Sequence, residues 1–190
     1  MKIAITGHTK GIGKACADLL GQEHEIVGLS RKNGFSIEQT NMCAMKVVPC
    51  DVFINNAYLS TYQSALFEKV FLTWHGQDKT IINIGSRSQY NHNISGTMYS
   101  SDKAHLSRLA ENLSFGHKVD MANKKCRVIN VNPGWVNTDM ANLNINPYSY
   151  KPSPTEMLSP EKVAETIKWC LDQPQDIEIY DLSIWKTSIK

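Results

Sequence analysis

Short apolar runs alternate along this chain with longer stretches in which apolar positions recur every three or four residues. The first pattern is typical of buried strands and the second of amphipathic helices. Strands are predicted at residues 2–6, 25–29, 35–37, 51–55, 80–84, 126–130 and 177–182. Helices are predicted at 13–20, 40–45, 62–75, 99–118 and 159–172. Because the two patterns alternate, we expect βαβ units around a parallel sheet.

The alternation predicts one domain, residues 1–190, since a chain of 190 residues is long enough for a single sizeable core. The expected fold is α/β: a doubly wound parallel sheet, Rossmann-like, in three α/β/α layers. Residues 139–158 interrupt the alternation and are rich in Asn, Pro, Tyr and Ser, so they are predicted to form a loop with little regular structure.

Composition narrows the range of partners. A formal net charge of +2 is too small to favour nucleic acid or a membrane surface, and no apolar run reaches the roughly 20 residues that cross a bilayer. A strand-like segment from Lys2 indicates that no signal peptide precedes the fold. Five cysteines without metal-ligand spacing are interpreted as free thiols. We therefore expect a cytoplasmic protein with no bound metal.

A glycine-rich turn joins the first predicted strand to the first predicted helix. Its sequence is Thr6-Gly7-His8-Thr9-Lys10-Gly11-Ile12-Gly13. Glycines allow a tight turn and a close approach of backbone to a diphosphate, and the helix N-terminus supplies unpaired N–H groups. The turn therefore predicts a dinucleotide site, with contacts expected from Gly7, Thr9, Lys10, Gly11, Ile12 and Gly13.

A second motif, Tyr99-Ser100-Ser101-Asp102-Lys103, bears on proton transfer. A tyrosine has a reference pKa near 10, so it becomes a useful acid or base only when its phenolate is stabilised. A lysine four residues later shares its helix face and carries a suitable charge. Ser86, at the end of the fifth predicted strand, is the candidate for a hydroxyl that orients the substrate oxygen, and Ser88 is the alternative serine.

Together these motifs resemble those of the short-chain dehydrogenase/reductase family. Further matches are Asn55-Asn56-Ala57, the interval of thirteen residues from Ser86 to Tyr99, and the segment from Asn132 to Thr138. The resemblance covers residues 3 to 140. It implies hydride transfer between a nicotinamide and a carbonyl or secondary alcohol of a small molecule. Tyr99 would be the general acid/base, Lys103 its electrostatic partner and Ser86 the orienting hydroxyl.

The resemblance also implies how the cofactor is held. Outside the glycine turn, the expected contacts are Ser30, Arg31, Asn55, Asn56, Ala57, Tyr99, Lys103, Pro133, Gly134, Val136 and Thr138. Ser30-Arg31-Lys32 follows the second strand without an acidic residue, and Lys10 lies in the glycine turn. These cations favour NADP(H) over NAD(H). The family likewise implies a substrate loop at 139–158 and a homodimer or homotetramer built on the long helix.

Three features depart from the family pattern. Residues 31–51 are short, no asparagine between Asn56 and Asn83 is present to hold a relay water, and Tyr58 replaces the glycine of Asn-Asn-Ala-Gly. The first two departures favour an alternative hypothesis, a non-catalytic dinucleotide-binding or redox-sensing protein on the same fold, whereas the presence of Ser86, Tyr99 and Lys103 opposes it. A third hypothesis, epimerisation or dehydration of a nucleotide sugar, is opposed by the short C-terminal part of the chain.

Overall fold

A parallel β-sheet organises the chain. In the computed structural model, which describes residues 1–90, 97–116, 126–142 and 152–187, the strands pair in the order β2-β1-β3-β4-β5-β6. They are β1 (Lys2–Thr6), β2 (Glu25–Leu29), β3 (Val52–Asn55), β4 (Thr80–Ile84), β5 (Arg127–Pro133) and β6 (Asp181–Ile184). Each neighbouring pair in this order is parallel.

Helices cover both faces of the sheet. They are α1 (Gly11–Leu20), α2 (Thr40–Val47), α3 (Tyr62–Trp74), α4 (Thr97–Gly116), α5 (Asp139–Asn142) and α6 (Pro160–Asp172). Residues of α1 and α6 share one hydrophobic cluster with the sheet, and residues of α2, α3 and α4 share the other. The predicted doubly wound α/β/α arrangement is therefore confirmed.

The central strands are buried on both faces of the sheet, and their successive side chains point to opposite faces. In β1, Ala4 joins the cluster of α2, α3 and α4, whereas Ile3 and Ile5 join the cluster of α1 and α6. Phe53 and Ile54 of β3 divide in the same way. Strands buried on both faces read as mostly apolar runs, which explains why the sequence located β1 and β4 correctly. The outer strand β2, which is only partly buried, also has its predicted bounds.

Two strand predictions were wrong. Residues 35–37 form no strand; the chain makes a short 3-10 turn at Arg31–Asn33, and Phe35 and Ile37 then pack on the core just before α2. A run this short can be buried without joining the sheet. The last strand begins at Asp181 rather than at residue 177, because Ile177 is exposed and Asp181 is the first residue in register with β5.

Other element boundaries differ by smaller amounts. Strand β5 runs three residues further than predicted, to Pro133, and α2 runs two residues further, to Val47. The predicted loop 139–158 contains α5 and a 3-10 turn at Pro154–Glu156, while its residues 143–151 lie outside the described part. The predicted end of the long helix, at residues 117 and 118, also lies outside it.

Local capping and burial agree with the sequence in two places. The Ser159 hydroxyl accepts the Lys162 N–H at 3.2 Å, and Pro160 is the first residue of α6. All five cysteines are buried and none forms a disulfide. Among the described helices, none has the length and apolar character needed to cross a membrane.

Gly28 of β2 packs directly against His8 of the glycine turn, because a Cβ at position 28 would lie 2.4 Å from the His8 ring. We expect Gly28→Ala to displace His8 and to lower the free energy of unfolding by about 1–3 kcal/mol. Adding His8→Ala should recover most of this loss, because it removes the atoms that clash. Urea unfolding of the two single variants and the double variant measures the coupling. Equal losses with and without His8 would contradict the contact.

Candidate active site

The predicted site residues gather at one edge of the sheet. The glycine turn follows β1, Asn56 follows β3, Ser86 follows β4, and Gly134 follows β5. Because all these strands are parallel, their carboxyl ends meet at the same edge. Residues far apart in sequence therefore line one cleft.

The glycine turn requires glycine at three positions. Gly7 and Gly11 have φ values of 71° and 50°, in the left-handed region that favours glycine. A Cβ on Gly13 would lie 2.4 Å from the Gly7 carbonyl oxygen. Lys10, which precedes α1, makes no side-chain capping bond to the first helical turn. The turn thus forms a narrow backbone cradle at the N-terminus of α1, a place suited to a phosphate group.

The segments after β3 and β5 are tied to this turn. The Thr6 hydroxyl accepts the backbone N–H groups of Asn56 and Ala57 at 2.9 and 3.0 Å, and the Asn56 side chain donates to the Thr6 carbonyl at 2.9 Å. From the other side, a Cβ on Gly11 would touch the Thr138 methyl at 3.0 Å. Three predicted cofactor-binding segments are therefore in contact.

Lys10 crosses the same cleft and forms an ion pair with Asp139 at 2.9 Å. Both side chains are about two-thirds exposed, so the pair contributes little to stability. Lys10 can therefore exchange Asp139 for another anion at small cost.

The end of β2 presents two cations. Ser30 is buried, and its N–H and hydroxyl both donate to the Asn33 side-chain oxygen at 2.8 and 3.2 Å. The Ser30 hydroxyl therefore holds the 3-10 turn. Arg31 and Lys32 are exposed. They come two and three residues after Leu29, whose carbonyl accepts the Gly7 N–H at 2.7 Å, so this part of the backbone begins beside the glycine turn.

A row of buried asparagines crosses the sheet beneath the site. Asn55 donates to the Asn83 oxygen at 3.0 Å, and Asn83 donates to the Asn130 oxygen at 3.2 Å. These residues are opposite one another in β3, β4 and β5. Asn55 was predicted to bind the cofactor, but its side chain is fully buried and does not reach the cleft surface. It supports the loop that carries Asn56 and Ala57.

The Ser86 side chain interacts with Tyr99 and lowers the Tyr99 pKa. Ser86 also accepts the N–H and the hydroxyl of Ser88, at 3.1 and 2.9 Å. With both acceptor positions used, the Ser86 hydroxyl proton is available to a further acceptor. Ser88, which the sequence offered as the alternative serine, is thus a hydrogen-bond partner of Ser86.

Lys103 lies one helical turn beyond Tyr99 and is 3% exposed. Its ammonium donates to the Gln63 side-chain oxygen at 2.7 Å and to the Ile84 carbonyl at 2.8 Å. The same nitrogen lies 5.6 Å from the centre of the Tyr99 ring. The structure therefore brings together Ser86, Tyr99 and Lys103, together with a glutamine that the sequence did not single out.

Tyr58 narrows the cleft. Its ring packs edge-on against Tyr99, with centroids 4.8 Å apart, and lies 5.2 Å from the Lys103 nitrogen. Its hydroxyl donates to Asp102 at 2.8 Å. The side chain that replaces the family's glycine therefore packs directly on two of the predicted catalytic residues.

Burial dominates the electrostatics of this cluster. It raises the pKa of Tyr99, and the hydrogen bond with Ser86 lowers that pKa in part. Burial lowers the pKa of Lys103 to about 7, against a smaller raising effect of Asp102. It also raises the pKa of Tyr58, as does the bond to Asp102. Near neutral pH the lysine is therefore close to the point at which it loses its charge.

A cavity of about 560 Å³ lies beside the segment that follows β5. Its described lining includes Asn137, Met157, Leu158, Lys162, Trp185 and Lys186. Arg87, the neighbour of Ser86 in sequence, stacks on the Trp185 ring at 4.0 Å. The cavity is therefore apolar with cations at its edge, and it begins near the predicted catalytic residues.

Several residues of the site were not predicted from the sequence, and Gln63 is the most important of them. Gln63 shares the buried stripe of α3 with Leu66, Phe67 and Val70. A polar residue at an apolar helical position was the available signal. The asparagines of β4 and β5, which interrupt apolar strands, gave a similar one.

Comparison with known proteins supports the family resemblance. A family model described as short chain dehydrogenase matches residues 56–147. An uncharacterized oxidoreductase of Staphylococcus aureus (strain MW2) is 25% identical, with 96% of each chain aligned. That alignment spans 232 positions, more than the 190 residues of this chain, so the relative carries internal insertions.

Solved structures share the fold. The closed form of serine dehydrogenase complexed with NADP+ has a TM-score of 0.72 and 18% identity, covering 97% of this chain and 94% of that one. A 3-ketoacyl-(acyl-carrier-protein) reductase from Brucella melitensis complexed with NADH has a TM-score of 0.74 and 15% identity, covering 96% of both. Together with the family match, these structures confirm the resemblance drawn from the motifs.

Lys103 makes a pH-dependent contribution to stability that can be measured. Its pKa is about 7 in the folded protein and 10.5 for an ordinary lysine, so the unfolded chain binds more protons between these values. Wild-type stability therefore gains from this group as pH rises from 7 to 10.5. We expect the free energy of unfolding of Lys103→Met, relative to wild type, to fall by up to about 4 kcal/mol between pH 6 and pH 10.

Urea unfolding at pH 6, 8 and 10 tests this expectation. Lys69→Met, at an exposed position on α3, is the control for removing a lysine. A difference between Lys103→Met and wild type that stays constant across this pH range would show that Lys103 remains charged when buried.

Proposed function

Because the chain belongs to the short-chain dehydrogenase/reductase family of oxidoreductases, we propose that it interconverts a carbonyl and a secondary alcohol on a small molecule with NADP(H). Tyr99 acts as general acid/base, Lys103 as its electrostatic partner and Ser86 as the orienting hydroxyl. The observation that carries the proposal is the grouping of these three side chains at the edge of the sheet. Ser86 lowers the pKa of Tyr99, and the Lys103 nitrogen lies 5.6 Å from the centre of the Tyr99 ring.

The residues present fit a dinucleotide. The cradle at Gly7 and Gly13 admits no side chain, which suits a backbone that approaches a diphosphate. Asn56, Ala57 and Thr138 adjoin this cradle and would hold the rest of the cofactor. When bound, the nicotinamide supplies or accepts the hydride.

The proton is handled by the chain itself. In the reduction, the Tyr99 hydroxyl gives its proton to the substrate oxygen, and the raised pKa of Tyr99 keeps the hydroxyl protonated beforehand. The resulting phenolate is then stabilised by the Ser86 hydrogen bond and by a charged Lys103. In the oxidation the same groups act in reverse.

The preference for NADP(H) is supported by charge. Arg31 and Lys32 are exposed beside the glycine turn, and Lys10 is held only by an exposed ion pair. These cations can bind the 2′-phosphate of NADP(H). Residues Ser30–Lys32 include no acidic side chain that could accept a hydrogen bond from the ribose hydroxyl of NAD(H). The similar structures include complexes with NADP+ and with NADH, so the choice rests on the residues of this chain.

The expected location is supported by the cysteines, and the expected assembly concerns helix α4. The five cysteines are buried and form no disulfide, which supports a cytoplasmic location. A homodimer or homotetramer remains our proposal. Leu106 of α4 is buried within the chain's own core, and Leu109 and Leu113 pack against that core, so an α4 interface would use other residues.

Cofactor preference is tested by fluorescence titration with NADPH and, separately, NADH. We expect NADPH to bind at least about tenfold more tightly, and Arg31→Ala to weaken NADPH binding by about 10- to 100-fold with little effect on NADH. Arg108→Ala, at an exposed position on α4, is the matched control. Equal affinities for both cofactors would contradict the preference. Failure to bind either would remove the basis of the enzymatic proposal.

Catalysis is tested by following NADPH oxidation with a panel of small ketones and aldehydes. The panel includes keto acids, because Lys162 and Lys186 line the cavity. We expect Tyr99→Phe to lower kcat/KM by about 10²- to 10⁴-fold, the usual contribution of a general acid, while NADPH still binds. Tyr62→Phe, at an exposed position on α3, is the control. Binding without Tyr99-dependent turnover would favour the alternative hypothesis of a non-catalytic dinucleotide-binding or redox-sensing protein.

A further inference from the structure

Gln63 connects three elements beneath the site. It lies in the first turn of α3 and is 2% exposed. Its side-chain nitrogen donates to the Asn55 carbonyl at 2.8 Å and to the Ile84 carbonyl at 3.1 Å. Its oxygen accepts the Lys103 ammonium at 2.7 Å. One amide therefore joins α3 to the ends of β3 and β4 and to α4.

We propose that Gln63 is a positioning residue for proton transfer. Through its direct contact with Lys103, it keeps the lysine in the orientation and the charged state that Tyr99 requires. This inference rests on the proposed function, since it assigns Gln63 a part in the chemistry of Tyr99. It concerns a residue that acts through Lys103 and touches neither substrate nor cofactor.

The orientation follows from the polarity of the amide. Because the nitrogen of Gln63 faces two carbonyl oxygens, its own oxygen must face Lys103. Gln63 and the Ile84 carbonyl together take two of the three ammonium hydrogens. The nitrogen then stands 5.2 and 5.6 Å from the rings of Tyr58 and Tyr99. The third hydrogen of the Lys103 ammonium group remains available on the side that faces the cleft.

The charged state follows from the balance of burial and hydrogen bonding. Burial favours the neutral amine, whereas two oxygen acceptors favour the ammonium. The titratable groups that face Lys103 are Tyr58, from the loop after β3, and Tyr99 and Asp102, from α4. From α3 and β4 its described partners are uncharged oxygens. Because the pKa of Lys103 is about 7, the loss of one acceptor is enough to make the amine neutral at neutral pH.

Gln63 also accounts for a departure noted in the sequence. No asparagine between Asn56 and Asn83 is present to hold a relay water beside Lys103. The glutamine reaches the ammonium itself, so in this chain the contact needs no intervening water. A direct contact fixes the lysine more tightly than a water-mediated one, because no water has to be ordered.

Two substitutions separate a positioning role from a structural one. Gln63→Met and Gln63→Glu both remove the donor to Asn55 and Ile84, so both lose the same structural bonds. They act oppositely on Lys103, since methionine removes an acceptor and glutamate adds a negative charge. We expect the Lys103 pKa to fall by about one unit in Gln63→Met and to rise by about one to two units in Gln63→Glu.

The Lys103 titration is followed by NMR of protein labelled at lysine Cε, with the resonance assigned through Lys103→Met. Gln77→Met, which changes an exposed glutamine just after the same helix, is the control. In the reduction assay, the pH at which kcat/KM declines should move in the same direction as the Lys103 titration in each variant. If Gln63→Glu does not fold, Gln63→Asn, which keeps an amide but retracts it, should lower the Lys103 pKa as Gln63→Met does.

Two results would overturn the inference. One is an unchanged Lys103 titration in Gln63→Met alongside a lowered thermal midpoint, which would leave Gln63 a structural role only. The other is a shift in the same direction for methionine and glutamate. Because the NMR titration needs neither substrate nor cofactor, it distinguishes failure of this inference from failure of the proposed function, which appears as absent Tyr99-dependent turnover.

Discussion

The site depends on a single costly feature, an ammonium group buried beneath the cleft. A lysine that is 3% exposed is tolerated only where oxygen acceptors replace the water it has lost. Here those acceptors are a backbone carbonyl at the end of β4 and a glutamine held by the ends of β3 and β4. The position of Lys103 is therefore set by the ends of two strands and the first turn of α3. Tyr99 shares a helix with Lys103, so it is placed by the same contacts.

The parallel sheet makes this possible. Its central strands end at one edge, where a backbone carbonyl and a side-chain oxygen converge on the Lys103 nitrogen. The asparagine row from Asn55 to Asn130 fixes the same strands to one another just before that edge. Polar groups in the middle of an apolar sheet are costly unless they pair, so the row also specifies the register. The hydrogen bonds from Ser88 to Ser86, and the effect of Ser86 on the Tyr99 pKa, extend this ordering into the cleft.

Much of this could be predicted from the sequence, and the reasons differ by residue. The glycine turn and the Tyr99–Lys103 spacing are local patterns, and strands β1 and β4 are short, mostly apolar runs. Gln63 is different, because its role depends on Lys103, forty residues away, and on carbonyl groups of other elements. No local pattern encodes such a contact. The strand prediction at residues 35–37 was wrong for a related reason. An apolar run shows that a segment is buried, but only tertiary pairing decides whether it joins the sheet.

The shortened middle of the chain has different consequences for the two ends of the cofactor site. Strand β2 is the outer strand on its side of the sheet, and the chain passes from it through a 3-10 turn to α2 without another strand. Arg31 and Lys32, which follow β2, therefore lie at this outer side of the sheet. The groups around Lys103 come from β3, β4, α3 and α4, on the other side of β1. Trimming the chain therefore leaves the proton-transfer groups in place and concentrates its effect on the part of the cleft beside β2. Under the proposed function, the exposed cations Arg31 and Lys32 are the groups that would hold the cofactor in this part of the cleft.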